Sequence, residues 1–356
     1  VKDTLELLKK SISRVEDELG LDSRFSFSRI TAQGSSELSV ELSRNDVMQR
    51  LAAVLEDFDD ESQSSGSINL RSPTGIGVKL ELLGGRSDSL LWVTSSVADL
   101  RKEPDHAAEL LNQAIMGETA AALVKEGDWY LARLGDGYLG WIRSWYVAEE
   151  KPGAVDAYLD EAEVIVESNV AYVLSEPMDG SLPISDIVAG SPLVVIKTDG
   201  AFRKVRLPRG KVGYIRGDAI GDPPRGKPDG GRILARAKRF LGIPYLWGGT
   251  SAKGFDCSGL VKRVFGIEGI ELPRDSDLQS RIGRLISKKM IGEKASPGDL
   301  LFFGEGKKIS HVAIWIGDGR FIHSQGEVRI NSLDENDSQY EENLAKSLLY
   351  ARSVLS

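Results

Sequence analysis

The sequence predicts a multidomain chain: a helix-containing N-terminal region, two small β-barrels and an α+β C-terminal domain. Three observations carry that expectation. The chain has 356 residues, more than one domain usually holds. Gly127-Asp128-Trp129, Arg133-Leu134 and Gly140-Trp141-Ile142-Arg143 recur as Gly200-Ala201-Phe202, Arg206-Leu207 and Gly213-Tyr214-Ile215-Arg216. Each pair is offset by 73 residues, as are Gly117 and Gly190, and a constant offset across gaps marks two copies of one unit. Beyond the Gly- and Pro-rich stretch 221–231, a helical pattern gives way to strand-like runs.

Residues 1–90 form the N-terminal region. Leu5, Leu8, Ile12, Val15 and Leu19 follow helical spacing, and Leu38, Val40 and Leu42 alternate with polar residues as a strand does. Ser43 or Asn45 is the expected cap of a second helix bearing Val47, Leu51, Val54 and Leu55. Residues 57–66, acidic and Ser-rich, read as a loop, and 78–83 as a further strand. No chemistry is visible in this region. The repeat copies occupy 91–150 and 157–222, each short, turn-rich and β-rich as a small barrel is. The last domain, 229–356, opens with a helix face of Ile233, Leu234, Ala237 and Phe240. Residues 299–303 read as a buried strand after a Pro-Gly turn, and 311–316 and 320–323 as two strands joined by Gly-Asp-Gly.

A formal net charge of −8 argues against nucleic acid and anionic membrane as partners. One cysteine excludes an intrachain disulfide and a multi-thiolate zinc site. No His/Asp/Glu cluster with ligand spacing is present, so no metal or cofactor is expected. No apolar run approaches the ~20 residues of a membrane helix. No signal peptide is visible at Val1, a start that a processed leader would also leave.

The chemistry concentrates around Cys257. A lone cysteine is most often a buried small hydrophobe. Here Gly248-Gly249-Thr250 and Lys253-Gly254 form a loop before it, and Leu260, Val261, Val264 and Phe265 a helical pattern after it. Cys257 is therefore expected in the first turn of a helix, where unpaired N–H groups and the dipole favour a thiolate. A neighbouring imidazole can take the thiol proton and return it to a leaving amine. It works best when a third polar group fixes its tautomer.

Two of the chain's three histidines, His311 and His323, lie downstream on the predicted hairpin. Each alone reads more readily as a strand-end or core histidine. Together, in the domain that holds the cysteine, they read as base and orienting partner. Parity constrains the pair. A two-residue turn at Asp318-Gly319 places His323 opposite Ile314, on the face away from His311. A three-residue loop, Gly317-Asp318-Gly319, places it opposite Ala313 and diagonal to His311, ~7–8 Å away on the same face. The triad requires the odd loop.

Pro244-Tyr245-Leu246-Trp247-Gly248-Gly249, Phe255-Asp256-Cys257-Ser258-Gly259-Leu260-Val261, Leu272-Pro273-Arg274, Pro297-Gly298-Asp299-Leu300, His311-Val312-Ala313-Ile314 and Phe321-Ile322-His323 together resemble the NlpC/P60 family of papain-like cell-wall cysteine peptidases. Trp129-Tyr130 followed by Gly140-Trp141-Ile142 resembles the bacterial SH3-like barrel. The resemblance thus implies two SH3-like β-barrels plus an α+β papain-like (NlpC/P60) catalytic domain, behind the N-terminal region. It implies a triad of Cys257, His311 and His323, and an oxyanion hole using the Cys257 backbone N–H with Tyr245 nearby. Family substrates are peptidoglycan stem peptides, cut between γ-D-glutamate and a diamino acid, meso-diaminopimelate or lysine.

The domain order is similar to that of the γ-D-glutamyl-L-diamino acid endopeptidase (dipeptidyl-peptidase VI-like) subgroup, which requires a free N-terminal L-Ala. In that subgroup an acidic residue and a Tyr of the first barrel bind the amine. The matching positions are Glu103 and Tyr138, which otherwise read as a solvated surface Glu and a barrel-core Tyr. Asp256, Ser258 and Ser276 fall where the subgroup binds substrate, and Asp256 also stands where it would cap the helix of Cys257.

The implied function is hydrolysis of released wall peptides during recycling. The alternatives are a wall-binding SH3-like protein with a weak hydrolase domain, or an autolysin or amidase acting on intact peptidoglycan. The expected partner is a stem peptide, L-Ala-γ-D-Glu-diamino acid, met by a monomer in the periplasm or cell envelope, with the cytoplasm as the alternative place.

Overall fold

The computed structural model describes residues 1–34, 36–55, 57–64, 66–84 and 89–355. The chain forms two compact units, residues 1–91 with 120–141, and residues 92–119 with 142–356. In the first, helices Lys2–Glu18 and Asn45–Val54 cover a five-stranded sheet. Its strand order is Ser28–Ala32, Glu37–Leu42, Gly77–Leu82, Ser67–Arg71, Asp59–Ser64. Leu8, Val15, Met48 and Leu51 from the helices meet Val40, Leu70 and Leu80 from the sheet.

The strand Asp59–Ser64 corrects the loop expected at 57–66, of which Ser65 lies outside the described residues. Every residue of this edge strand is exposed. It buries no side chain, so it carries no apolar alternation to read. Ser43 does not cap the second helix. Its hydroxyl accepts the Phe27 N–H at 2.8 Å, and Asn45 is already the first helical residue. Phe27 and Leu83 also pack on Leu123, Trp129, Leu131, Leu139 and Trp141. The N-terminal region and residues 120–141 therefore share an apolar interior.

The repeat is a repeat of elements as well as residues. Val97–Arg101, Leu110–Ile115, Thr119–Glu126 and Leu139–Arg143 recur as Val170–Leu174, Pro183–Val188, Pro192–Asp199 and Val212–Arg216. Even the short helical turn Ser144–Tyr146 recurs, as Gly217–Ala219. Gly117 and Gly190 both take the left-handed conformation, at φ 97° and 89°, which only glycine adopts without strain. Between the copies lies a helix the spacing did not predict, Pro152–Glu161, entered through proline at its first turn. It buries only Val155 and Tyr158, too few to show a period.

The C-terminal domain is a six-stranded sheet in the order Arg284–Ser287, Leu348–Ser353, Leu300–Glu305, Lys308–Gly317, Arg320–Gln325, Glu327–Ser332, with antiparallel pairing throughout. Helices Gly230–Arg239 and Cys257–Ile267 contribute Ile233, Leu260, Val261, Val264 and Phe265 to its core. Ile115, Val188 and Ala189 of the repeat copies complete that core.

An ion network fastens the first of these helices. Arg236, buried, donates to Glu268 at 3.0 Å and to Glu167 of the second repeat copy at 2.7 Å. Arg232 and Arg239 flank it on the same two carboxylates. Removing one partner of a buried pair strands the other in low dielectric. Arg236→Ala should cost about 3 kcal/mol, the low end for such a loss, because Arg232 still holds Glu268. Thermal and denaturant unfolding of the variant check this; a change under about 1 kcal/mol, the surface-pair range, would show that solvent screens the network.

Candidate active site

Cys257 is the first residue of its helix, and Asp256 is the N-cap. The Asp256 carboxylate accepts the Gly259 N–H at 2.7 Å and the Gly248 N–H at 3.0 Å. Both of its oxygens accept from the guanidinium of Arg274, which is almost wholly buried. One side chain thus ties helix, loop and a distant arginine together beside the thiol. The loop and helix meet backbone to backbone. A Cβ on Gly259 would lie 2.0 Å from the Gly249 carbonyl oxygen, and one on Gly248 2.3 Å from that of Leu110.

The two histidines share one face and touch. His311 Nε2 lies 2.8 Å from His323 Nδ1, with the rings at 88°. The face is right, but the turn is not the expected one. Asp318 and Gly319, at φ 49° and 80°, form a two-residue turn between paired Gly317 and Arg320. A register shift at Ile316 then restores Trp315 opposite Phe321 and Ile314 opposite Ile322. A β-bulge supplies the odd residue that the parity argument assigned to the loop.

His323 Nε2 in turn lies 2.9 Å from Asn331 Oδ1 on the next strand, and Asn331 Nδ2 donates to the Gln339 carbonyl at 3.0 Å. Asn331 stands opposite Phe321, hence diagonal to His323. It lies on the strand beyond the hairpin that carries the two histidines, so the predicted triad does not include it. Folding the next run back about Gly326 would have placed Asn331 on the same face.

Burial dominates the electrostatics. It pushes the Cys257 thiol up to about 12, helped by the Asp256 charge; the Val312 and Ser258 N–H groups and Arg274 oppose it. It pushes His311 down to about 3 and His323 to about 4. Phe303 and Phe321 wall the two rings, with centroids 5.7 Å from His311 and 5.1 Å from His323. The helix N-terminus favours a thiolate, and burial opposes it. Burial thus favours the neutral thiol and the neutral imidazole. The Val312 N–H aimed at the sulfur places it against the His311 strand. His311 Nε2 is engaged by His323, which leaves Nδ1 for the thiol proton.

The other predicted residues fall as follows. Tyr245 is about one-third exposed, its phenol pushed up to about 12 by burial and then by Cys257 and Asp256, so it stays a donor. As the first helical residue, Cys257 also has an N–H outside the intrahelical ladder. Ser258 is buried, donating to Asp256 at 3.3 Å and accepting from Arg274 at 3.0 Å. Ser276 opens the short helix Ser276–Gln279 and is partly exposed. Glu103 is exposed, in the connection between strands Val97–Arg101 and Leu110–Ile115. Tyr138 belongs to the first unit, where its ring is buried edge-on against Phe25 at 5.7 Å.

Beyond these, Gln113 was missed. Its side-chain oxygen accepts from Thr250 N–H and Ser251 hydroxyl, both at 3.1 Å, and its carbonyl accepts the Thr250 hydroxyl at 2.8 Å. Trp247, 62% exposed, donates to Glu109 at 3.0 Å.

A thiol at a helix start, beside an antiparallel sheet whose imidazole is oriented by a second polar side chain, defines a papain-like cysteine hydrolase. Comparison with known proteins agrees. The model of the NlpC/P60 family matches residues 242–346, and that of the bacterial dipeptidyl-peptidase SH3 domain matches residues 100–144. The gamma-D-glutamyl-L-lysine dipeptidyl-peptidase of Bacillus cereus is 30% identical over 277 residues, 73% of this chain and 80% of its own. Dipeptidyl-peptidase 6 of Lysinibacillus sphaericus is 28% identical over 270 residues, 72% of this chain and 96% of its own. The crystal structure of an NlpC/P60 family protein from Bacillus cereus matches with TM-score 0.63 at 26% identity, covering 75% of this chain and all of that one. The chain belongs to the NlpC/P60 family and is a cysteine peptidase.

Cys257→Ala should keep the fold and lower turnover by roughly 10⁴-fold or more. His311→Ala should lose at least as much as His323→Ala, because only His311 moves the proton; the reverse order, measured as kcat, would exchange the two roles. Because burial depresses His311, its base form persists as pH falls through 6.5. The acid limb of kcat/KM should therefore lie below 6.5, and a limb above that value would contradict a neutral resting pair.

Proposed function

We propose that this protein hydrolyses the γ-D-glutamyl–L-diamino acid bond of peptidoglycan stem peptides that carry a free N-terminal L-Ala. The observation that carries the reading is the set Cys257, His311 and His323, with the two imidazoles in contact, in a chain whose relatives include a gamma-D-glutamyl-L-lysine dipeptidyl-peptidase. The thiol proton passes to His311 Nδ1 as sulfur bonds to the γ-carbonyl carbon. The developing oxyanion meets the Cys257 N–H and the Tyr245 phenol. As the C–N bond breaks, His311 gives its proton to the departing α-amine of the diamino acid. Water then attacks the thioester, again yielding its proton to His311, which returns it to the sulfur as the dipeptide acid leaves.

The recycling reading is favoured over a wall tether by Gln113 and Glu109. Both sit on or beside the Leu110–Ile115 strand of the first repeat copy and bond residues 247–251 of the catalytic loop. A hairpin held this way serves the catalytic loop as a wall, not as a mobile anchor. We place the work in the periplasm or cell envelope.

Glu103 is the proposed amine-binding position. Glu103 is exposed without substrate, so the discrimination expected from it is that of a surface ion pair, up to about 1 kcal/mol or roughly fivefold. A carboxylate desolvated by the bound peptide would give more. Wild type should cleave L-Ala-γ-D-Glu-L-Lys faster than its N-acetyl form, and Glu103→Ala should narrow that ratio, as read by mass spectrometry of products. Equal cleavage of both peptides by wild type would defeat the free-amine requirement. Discrimination retained in Glu103→Ala would mean that a different acid holds the amine.

A further inference from the structure

We infer that Asn331 sets the protonation pattern of the catalytic pair, acting through two imidazoles as a positioning residue. The inference rests on the assignment of Cys257 as nucleophile and His311 as base. The Gln339 carbonyl accepts the Ser332 N–H at 2.8 Å and faces the Asn331 amide at 3.0 Å. A carbonyl can only accept, so the Asn331 atom facing it is the NH₂ group. The other end of that amide, its oxygen, therefore faces His323 Nε2 at 2.9 Å.

An amide oxygen can only accept, so His323 Nε2 carries a proton. His323 is neutral, because burial pushes it down to about 4, and its Nδ1 is then a bare acceptor. The bond of 2.8 Å from His311 Nε2 to that Nδ1 must be donated by His311. Neutral His311 then has a bare Nδ1, the form that can take the thiol proton. With the opposite tautomer, His311 Nδ1 would hold a proton and could not act as base. No other tautomer of either ring satisfies all three bonds. Asn331 and His323 are both over nine-tenths buried, so water does not compete for these positions. Arg329 and Glu341 act on His323 in opposite senses, Arg329 against its proton and Glu341 for it. His311 feels His323 beside the burial already described.

The test reads the tautomers directly. Only three histidines, His106, His311 and His323, contribute imidazole signals, so ¹⁵N-histidine labelling gives three resolvable ring systems. In resting wild type at neutral pH, long-range ¹H–¹⁵N spectra should show His311 and His323 both protonated at Nε2 alone. Either ring protonated at Nδ1 overturns the inference without any variant. Asn331→Leu removes the acceptor at similar volume. It should shift His323 to a tautomer mixture and lower kcat on L-Ala-γ-D-Glu-L-Lys by roughly 10- to 100-fold with KM little changed. Unchanged tautomers with kcat within about twofold of wild type would leave Asn331 no role in setting them.

Asn331→Asp keeps an acceptor for His323 Nε2–H and adds negative charge. It should recover part of the kcat lost in Asn331→Leu and move the acid limb of kcat/KM upward. An acid limb that stays in place would overturn the inference even if the leucine variant fails to fold. Failure of the underlying assignment looks different. An active Cys257→Ala variant would remove the nucleophile and leave the tautomer spectra as they are.

Discussion

The carboxylate of Asp256 is the constraint on which the site depends. It caps the helix that begins with Cys257, holds the Gly248 N–H of the preceding loop, and pairs through both oxygens with Arg274. A carboxylate that is 7% exposed is tolerable only with such a set of donors. Each donor is in turn fixed. Ser258 braces Arg274, and Gln279 holds the backbone on both sides through the carbonyls of Ser258 and Pro273. Gly259 and Gly249 pack with no room for a side chain. The nucleophile is therefore held by its neighbours' hydrogen bonds.

The same buried charge has an electrostatic consequence. Asp256 lies one residue from the sulfur and opposes a thiolate there, as desolvation does. The helix N-terminus that would lower a thiol's proton affinity is already occupied by the cap. Generating the nucleophile thus falls to His311. Its ring is walled by Phe303 and bonded at Nε2, so only one nitrogen is left to exchange protons.

Much of the architecture was legible because it rests on local periodicity. The Leu/Ile/Val spacing of the first helix, the helix after Cys257 and the buried run at 300–303 follow from periods of 3.6 and 2. The repeat was legible because two copies of one barrel need the same turns at the same places, down to the left-handed glycines 117 and 190. The all-exposed edge strand Asp59–Ser64 and the helix Pro152–Glu161 were not, since neither buries a periodic face.

For the site, the residue types and their local settings are legible without the fold: a lone cysteine at a helix start with an acidic residue before it, and two histidines on adjacent strands. These depend on neighbours within a turn or a hairpin. Tertiary structure decided the rest. A bulge at Ile316, not the loop, set the face of His323, because register depends on a backbone irregularity that no side chain marks. Arg274, Gln113 and Asn331 join the site across 18, 137 and 8 residues of sequence. Such partners are chosen by hydrogen-bond valence in a dry interior, where an unpaired donor or acceptor is costly. That requirement acts between atoms brought together only when the chain has folded.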